Sequence, residues 1–519
     1  MATRPAAGRS AARALFLATF AVLWALSARQ PPSGDATAMV SVARGLVTEG
    51  RLDSSYPMAG FTVQAPDGRH FSKYPLAQSL VEVPGQALER LVSIAGLPPA
   101  DTEVALRLAR GLTPAAVGAL AVMLLFLALA EAGVPRRRAA GMAVLAGGAT
   151  CLLPYLVSHY SEALQAAAVN ATVGALARLE RRPGARSAGL LGLCLGGLVF
   201  AKPALLPFAA IAGGAGAWLL VRDVERPGRA AGWMALAMLP GVAATVAWNW
   251  VRFGQPASVD YGFFLVPQTL GLPAPAALFG LLLSPGRGLL WFAPLAVLAI
   301  PGFRRAWREG RVTGVACGLG FVALLLLYSG FSIWHGSEQW GPRYLVPAIG
   351  PLAVLVAMAI GKEGASRRAR RAGLAVLVAA GIAVNLPGLL VRYTDFFAAV
   401  PYTPYSAIHL DAQGRPLTPP ETDNLFRTNF VPQFSPIAGH PWLLRHAILG
   451  GDLAGDCPWA GLEGAGPRIR TADLDPRIDL WFVPEPDWPA STVAVTLALL
   501  AVLLVAAVGS GIEAFRATG

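Results

Sequence analysis

The chain has 519 residues, of which 55% are hydrophobic and only 14% are charged. Soluble proteins carry about a quarter charged residues, so this composition excludes an ordinary soluble domain and indicates an integral membrane protein. The net charge of +12 comes from arginines that cluster between apolar runs. Such clusters set membrane topology, and we therefore predict no nucleic-acid partner.

Apolar runs of about 20 residues recur along the chain, and each is long enough to cross the hydrocarbon core of a bilayer. The first, residues 11–27, follows Arg4, Arg9 and Arg13, which predicts a cytoplasmic N-terminus. Arginine-rich segments then follow every second run, while the other connections hold aromatic residues, histidines and acids. We predict an all-α bundle of about twelve transmembrane helices with both termini in the cytoplasm, in a bacterial inner membrane.

The first outer loop, residues 28–76, is too long and polar to be a simple connection. Its stretch from Asp35 to Glu49 predicts an amphipathic helix that begins at or near Asp35. Asp67-Gly68 predicts a hairpin turn. The next segment, residues 77–97, is apolar but interrupted by charged residues, which favours a helix lying in the membrane interface.

The later spans follow the same alternation. Residues 112–133 and 139–157 predict the second and third spans, and residues 275–283 a short, possible re-entrant segment. An eighth span leads to Arg304 and Arg305. We predict a transmembrane catalytic module over residues 1–391, an extracytoplasmic region over 392–489 whose 429–440 stretch is loop-like, and a final helix with a cytoplasmic tail over 490–519.

The residues able to carry chemistry lie at the outer ends of the predicted helices. A carboxylate can take a proton from an incoming hydroxyl, and cations can stabilise charge on a departing phosphate. Aromatic side chains suit both sugar faces and the membrane interface. The candidates are Asp35, Lys73, Tyr74, His159, Tyr160, Glu162, Lys202, Arg252, Arg287, Trp334, His335, Glu338, Trp340, Arg343 and Tyr344.

Six of these segments, in this order, resemble the GT-C superfamily of membrane glycosyltransferases, in the group that contains protein O-mannosyltransferases and aminoarabinose transferases. Members have an acid in the first outer loop and use polyprenyl-phosphate-linked sugars. The segments are Gly34-Asp35 with the helix after it, Ser72 to Leu76, His159 to Glu162, Ala201 to Pro203, Leu283 to Gly288, and Trp340 to Leu345.

The resemblance implies a hexosyl- or pentosyltransferase that inverts the sugar carbon, with Asp35 as the general base. We hypothesise that the donor phosphate contacts Lys73, Lys202, Arg287 and Arg343. Burial that raises the pKa of Asp35 would make it a better base. The sugar and acceptor pocket is expected to involve Tyr74, His159, Tyr160, Glu162, Trp334, His335, Glu338, Trp340 and Tyr344.

No cofactor is predicted. Ala36 and Thr37 follow Asp35 where many relatives have a second acid, so a paired-acid mechanism, or a divalent metal that depends on it, has no support in the sequence. The expected partners are the bilayer, a polyprenyl-phosphate sugar, and an acceptor that is a glycan, a lipid or a protein.

Structural alternatives stay open for these residues. Asp35 fits a helix N-cap, Lys73 and Tyr74 fit interfacial anchors, and Arg287 fits the end of a turn. At the level of function, the alternatives are a transporter or flippase of lipid-linked intermediates and a non-catalytic envelope-assembly protein. Transporters often have inverted repeats and polar residues near the bilayer midplane, and neither is evident in the sequence, which favours the enzyme.

Overall fold

The structure is a computed structural model that describes residues 4–518 apart from 33, 55–60, 257–273, 332, 361–366, 401–421, 460–470 and 472–473. The first half is helical except for one small hairpin. Its helices are α1 (Arg4–Ala25), α2 (Asp35–Glu49), α3 (Leu76–Ile94), α4 (Pro99–Glu131), α5 (Arg136–Gly148), α6 (Leu153–Leu156), α7 (Glu162–Arg181), α8 (Ala185–Ala201), α9 (Leu206–Asp223) and α10 (Pro227–Phe253).

The second half adds ten helices and several 3₁₀ turns. The helices are α11 (Pro275–Leu283), α12 (Leu289–Phe292), α13 (Ala299–Arg308), α14 (Val312–Ser329), α15 (Ile349–Ile360), α16 (Arg367–Leu390), α17 (Tyr393–Ala399), α18 (Thr422–Phe430), α19 (Pro436–Leu449) and α20 (Ala490–Thr518). Its 3₁₀ turns are Pro294–Leu298, Arg343–Ala348 and Pro432–Phe434, and a further one, Pro203–Leu205, precedes α9 in the first half.

The described part of the chain contains seven helical segments long and apolar enough to cross a membrane. They are Pro99–Glu131, Pro203–Asp223, Pro227–Phe253, Val312–Ser329, Arg343–Ile360, Arg370–Leu390 and Ala490–Thr518. Ser10–Ala25 and Ala185–Ala201 are shorter apolar helices. A multi-pass helical membrane protein is therefore confirmed, whereas about twelve spans and the orientation of the termini stay predictions.

Two of the predicted spans are not single helices. Residues 139–157 divide between α5 and α6, and the eighth span divides between α12, a 3₁₀ turn and α13. The breaks pair with each other, because the Cys151 N–H donates to the Phe292 carbonyl at 2.9 Å. Asn385 Nδ2 donates to the same carbonyl at 2.9 Å. Irregular backbone inside a membrane protein needs such internal partners.

Helices α8 and α10 cross through glycines. A Cβ added at Gly192 would lie 1.9 Å from the Met234 carbonyl oxygen, and one at Gly196 would lie 2.4 Å from that of Met238. Small residues four apart allow this close approach of helix backbones. Gly241 on α10 makes the reciprocal approach to Gly196.

The first outer loop has the predicted form in its described parts. The helix is α2, and strands β1 (Thr62–Gln64) and β2 (His70–Ser72) form an antiparallel pair. Gly68 in the connecting turn has a φ of +84°, which glycine adopts without strain. The hairpin prediction is confirmed.

Helix α3 is polar on its buried side. Its Gln78, Glu82 and Gln86 are almost fully buried, while Leu91 and Ile94 are well exposed. It packs on α2 and α4. A helix with its apolar residues directed outward is suited to contact lipid, as the prediction of an interfacial helix requires.

The described parts of residues 392–489 contain more regular structure than their sequence indicated. Residues 429–440 contain the end of α18, a 3₁₀ turn and the start of α19, so the loop-like description is wrong. A small apolar core forms there from Phe396, Phe434, Trp442 and Trp459 with their neighbours. Aromatic packing, which has no simple periodicity, organises this segment.

Candidate active site

Asp35 is the first residue of α2, and it does not cap that helix. Gly34 is the N-cap residue, with a φ of +56°, and no side-chain hydrogen bond caps this end among the described residues. The side chain of Asp35 is 16% exposed and turns towards Arg343. Capping therefore does not account for this carboxylate.

Arg343 joins two acids that are far apart in sequence. Its Nη2 donates to Asp35 Oδ2 at 2.6 Å, and its Nε donates to Glu162 Oε1 at 2.5 Å. Its guanidinium also lies over the Tyr160 ring, 5.0 Å from the centroid. Asp35 and Glu162 each begin a helix, where the helix dipole stabilises a negative charge. The N-termini of α2 and α7 thus converge on one arginine.

The second carboxylate oxygen of Glu162 is available to a ligand. Oε2 is buried and has no hydrogen-bond partner within the described residues. Burying an acceptor without a partner costs about 1–3 kcal/mol. An oxygen kept in this state beside a buried ion pair is suited to receive a hydroxyl of a bound molecule.

Lys73 brings a further positive charge to this cluster. It follows β2, and only 2% of it is exposed. Its Nζ lies 5.3 Å from the Phe61 ring centroid and 5.2 Å from that of Tyr74. Burial lowers the pKa of Lys73 to about 8; Asp35 opposes that shift, and the positive charges of Lys202 and Arg343 add to it. Asp35, Lys202 and Arg343 therefore all act electrostatically on Lys73.

The expected upward shift of the Asp35 pKa is not found. Burial raises this pKa, but Arg343, a hydrogen bond from Tyr74 and the charge of Lys73 together lower it by more than burial raises it. The net shift of the Asp35 pKa is therefore downward. Nearby cations and donors favour the ionised carboxylate. Asp35 is held ionised, with its proton affinity reduced for as long as Arg343 bonds to it.

Arg252 positions the Lys73 segment, a role that the sequence did not reveal. Its Nη1 donates to the carbonyls of Ser72, Lys73 and Tyr74 at 3.3, 2.6 and 3.0 Å. Trp248 Nε1 donates to the Tyr74 carbonyl as well, at 3.0 Å. The end of α10 thus holds the turn that carries Lys73. The sequence placed Arg252 at an outer helix end but did not show which groups it contacts.

A buried hydrogen-bonded chain reaches Tyr160 from the outer region. Tyr393 Oη donates to Gln339 Oε1 at 2.9 Å, and Gln339 Nε2 donates to Tyr160 Oη at 3.1 Å. Because Tyr160 accepts from Gln339, its own hydroxyl proton is directed elsewhere. Gln339 and Tyr393 were not among the sequence candidates. Neither carries a charge or a recognisable spacing that would have indicated them.

His159 lies beside the cluster and contacts Glu82 on α3. Its Nδ1 is 3.0 Å from Glu82 Oε2. Burial lowers the pKa of His159, but Glu82 raises it by more, so the net shift is upward. His159, Tyr160 and Ala36 line a cavity of about 80 Å³ that extends to Arg392. This space adjoins the start of α2 and is large enough for a few waters or a small polar group.

Arg287 is held by protein groups and is not brought to Asp35. Its Nε donates to Asn429 Oδ1 at 3.1 Å, and its Nη2 donates to the Ser337 carbonyl at 2.6 Å. The guanidinium also lies 4.9 Å from the Phe397 ring centroid. The structure therefore places Arg287 as a link between the α11–α12 connection and Asn429, and its contact with the donor phosphate stays a prediction.

The segment from Trp334 to Tyr344 divides between two environments. Trp340 is fully buried and donates to Asn385 Oδ1 at 2.9 Å, so it is a core side chain and not a pocket wall. Tyr344 stacks on Tyr328 at 4.5 Å. Trp334 contacts Phe430, with ring centroids 5.7 Å apart. Of this segment, Gln339 and Arg343 reach the cluster around Asp35.

His335 and Glu338 are a second set of titratable residues, near Arg287. Burial lowers the pKa of His335 to about 3, and Arg287 adds to that shift, so the imidazole is neutral. Burial raises the pKa of Glu338 to about 7, although Arg287 opposes the shift. Both lie near Arg287, and their place in a sugar pocket stays a prediction.

No protein-family model matches the sequence, and no curated protein matches it. Solved structures do resemble the chain. ArnT from Cupriavidus metallidurans in the apo state matches with a TM-score of 0.46 and 16% identity, over 97% of this chain and 75% of ArnT. The same protein bound to undecaprenyl phosphate matches with a TM-score of 0.44 and 15% identity, over 74% of this chain and 68% of ArnT.

A third similar structure is the archaeal oligosaccharyltransferase AglB from Archaeoglobus fulgidus, in complex with an inhibitory peptide and a dolichol-phosphate. Its TM-score is 0.40 and its identity 13%, over 73% of this chain and 54% of AglB. Similarity at this level does not define an activity, which has to be argued from the charged cluster itself.

Proposed function

We propose that the chain is a glycosyltransferase that moves a sugar from a polyprenyl-phosphate donor to an acceptor hydroxyl at the outer face of the membrane. The arrangement of Asp35, Glu162 and Arg343 carries the proposal. With Lys73 and Lys202 nearby, the cluster has two carboxylates and three cations, a net charge of +1 while Lys73 is protonated. A buried site with one excess positive charge suits a phosphodiester, which has one negative charge.

Donor binding would also activate the base. A phosphate oxygen that bonds to Arg343 competes with the Asp35 carboxylate for the same guanidinium. Weakening the contact between Arg343 and Asp35 removes a cause of the low Asp35 pKa, so the proton affinity of the carboxylate rises. The cluster would therefore hold a weak base at rest and a stronger base once the donor is in place.

The transfer step then balances. Asp35 takes the proton of the acceptor hydroxyl, and the resulting oxygen attacks the sugar carbon from the side opposite the phosphate. The bond between that carbon and the phosphate oxygen breaks, which inverts the carbon. The leaving polyprenyl phosphate takes up the electron pair, and Lys73 and Arg343 stabilise its added negative charge. Glu162 would keep Arg343 in position throughout.

The test is a transfer assay on purified protein in proteoliposomes. The donors are labelled polyprenyl-phosphate hexoses and pentoses, and an envelope extract supplies acceptors. Asp35→Asn should lower the rate about 10²- to 10⁴-fold. Asp67→Asn, in the exposed hairpin turn of the same loop, is the matched control and should keep the wild-type rate. Equal rates for the Asp35 variant and wild type would remove Asp35 from the mechanism.

A further inference from the structure

A second cavity lies on the side of the helix bundle. It is a groove of about 830 Å³ between α1, α5, α6, α16 and α20, here called the lateral groove. Its walls are almost entirely apolar and include Leu15, Val22, Val144 and Leu386. None of the charged residues around Asp35 lines it. This space therefore has a different ligand chemistry from the candidate active site.

The lateral groove is open to the surroundings of the helices. Val144 is 50% exposed and Phe515 is 58% exposed, although both are large apolar side chains. Gly141, Gly148 and Gly511 also line the groove, and a Cβ added at any of them would meet no atom within 4 Å. Glycines on α5 and α20 thus leave open space along the groove.

One end of the lateral groove is positively charged. Arg137, at the start of α5, is the charged residue that lines it among those the structure describes. Its guanidinium lies over the Phe515 ring, 4.4 Å from the centroid. Within the described chain it has no carboxylate partner. Arg136 and Arg138 flank it in sequence and add to the positive potential.

We propose that the lateral groove is a binding site for an anionic phospholipid, with an acyl chain along the apolar walls and the headgroup phosphate on Arg137. Basic pockets between transmembrane helices bind anionic lipid headgroups, and each buried CH₂ group adds to the affinity. The apolar walls match the acyl chain of such a lipid, and the single cation, Arg137, matches its headgroup phosphate. This site is independent of the proposed sugar transfer.

Native mass spectrometry of the detergent-purified protein tests the charge requirement. Phosphatidylglycerol and phosphatidylcholine with identical acyl chains are titrated separately. Wild type should bind phosphatidylglycerol more tightly, and Arg137→Gln should weaken that binding about fivefold, the value of one juxtamembrane charge. Arg138→Gln, which leaves the groove lining unchanged, is the control and should change the preference less. Equal binding of both lipids by wild type would overturn the proposal.

A filled groove tests the apolar part. Gly148→Leu combined with Gly511→Leu places side chains into open space, so the helices should form normally while both lipids lose their binding. Gly214→Leu, on α9 and also facing open space, is the matched control. Retained binding by the filled variant would show that the groove is not the site. Displacement of phosphatidylglycerol by an equal concentration of undecaprenyl phosphate would identify a lipid carrier as the occupant and refute the phospholipid.

Discussion

The substitution Arg252→Met removes the side chain that positions the Lys73 segment and leaves the charge of Lys73 in place. Arg252 is almost fully buried, and its Nη1 bonds three successive carbonyls of the Lys73 segment. Hydrogen bonds to a charged group are worth about 1.5–3 kcal/mol each. Because the three share one nitrogen and do not add, we expect a total loss of about 3–5 kcal/mol, near the upper end for one substitution.

Much of this loss should appear as local opening around Lys73. At 1.4 kcal/mol per tenfold, the population of the open segment should rise about 10²-fold or more. The chain has three lysines, Lys73, Lys202 and Lys362, so amine acetylation read by peptide mass spectrometry resolves each one. Lys73 labelling should be slow in the wild type and much faster in the variant.

The displaced ammonium should also impair donor use. A misplacement of about 1 Å in a catalytic group can lower rates about 10²-fold, so kcat/KM should fall by roughly this factor. Arg229→Met, at the exposed opposite end of α10, is the control for loss of an arginine on the same helix. If Lys73 labelling is as slow in Arg252→Met as in Arg229→Met, the positioning argument is refuted.

Three further results are expected. Activity should fall as pH rises through about 8, where Lys73 loses its proton, and Lys73→Arg should move this fall to higher pH because arginine stays protonated; an unmoved pH profile would exclude Lys73 as its source. Tyr393→Phe should lower kcat by up to about tenfold, because it removes one hydrogen bond worth about 1 kcal/mol. An unchanged kcat would show that the hydrogen bond from Tyr393 to Gln339 does not contribute to the site. Gly192→Ala should lower unfolding stability by about 1–3 kcal/mol through overpacking, while Gly197→Ala, which faces open space, should not.

Sequence patterns predicted the parts of the fold that depend on local periodicity. The amphipathic helix after Gly34 and the hairpin at Asp67-Gly68 follow from apolar spacing and turn chemistry. The breaks at Cys151 and Phe292 did not follow, because apolar composition continues across both. Hydrogen bonds between groups distant in sequence, from Cys151 and Asn385 to the Phe292 carbonyl, make the breaks compatible with a buried position.

The candidate site was predicted in part for a similar reason. Placing polar residues at helix ends predicted that several of them would share one cavity, and Asp35, Lys73, Glu162 and Arg343 do lie close together. It could not give the rotation of each helix end, which decides whether a side chain faces the cluster. Trp340 faces the core for that reason. Arg287 likewise donates to backbone carbonyls and to Asn429, contacts that arise only in the folded chain.

We propose that, when the donor binds, the Arg343 guanidinium exchanges its hydrogen bond to Asp35 for one to the donor phosphate. A cryo-electron microscopy structure of Asp35→Asn with a bound polyprenyl-phosphate sugar tests it most directly, because this variant should bind the donor without consuming it. We expect phosphate oxygens within hydrogen-bond distance of Arg343 and Lys73, with the sugar carbon facing residue 35. A phosphate bound away from both cations, for example at Arg137 in the lateral groove, would contradict it.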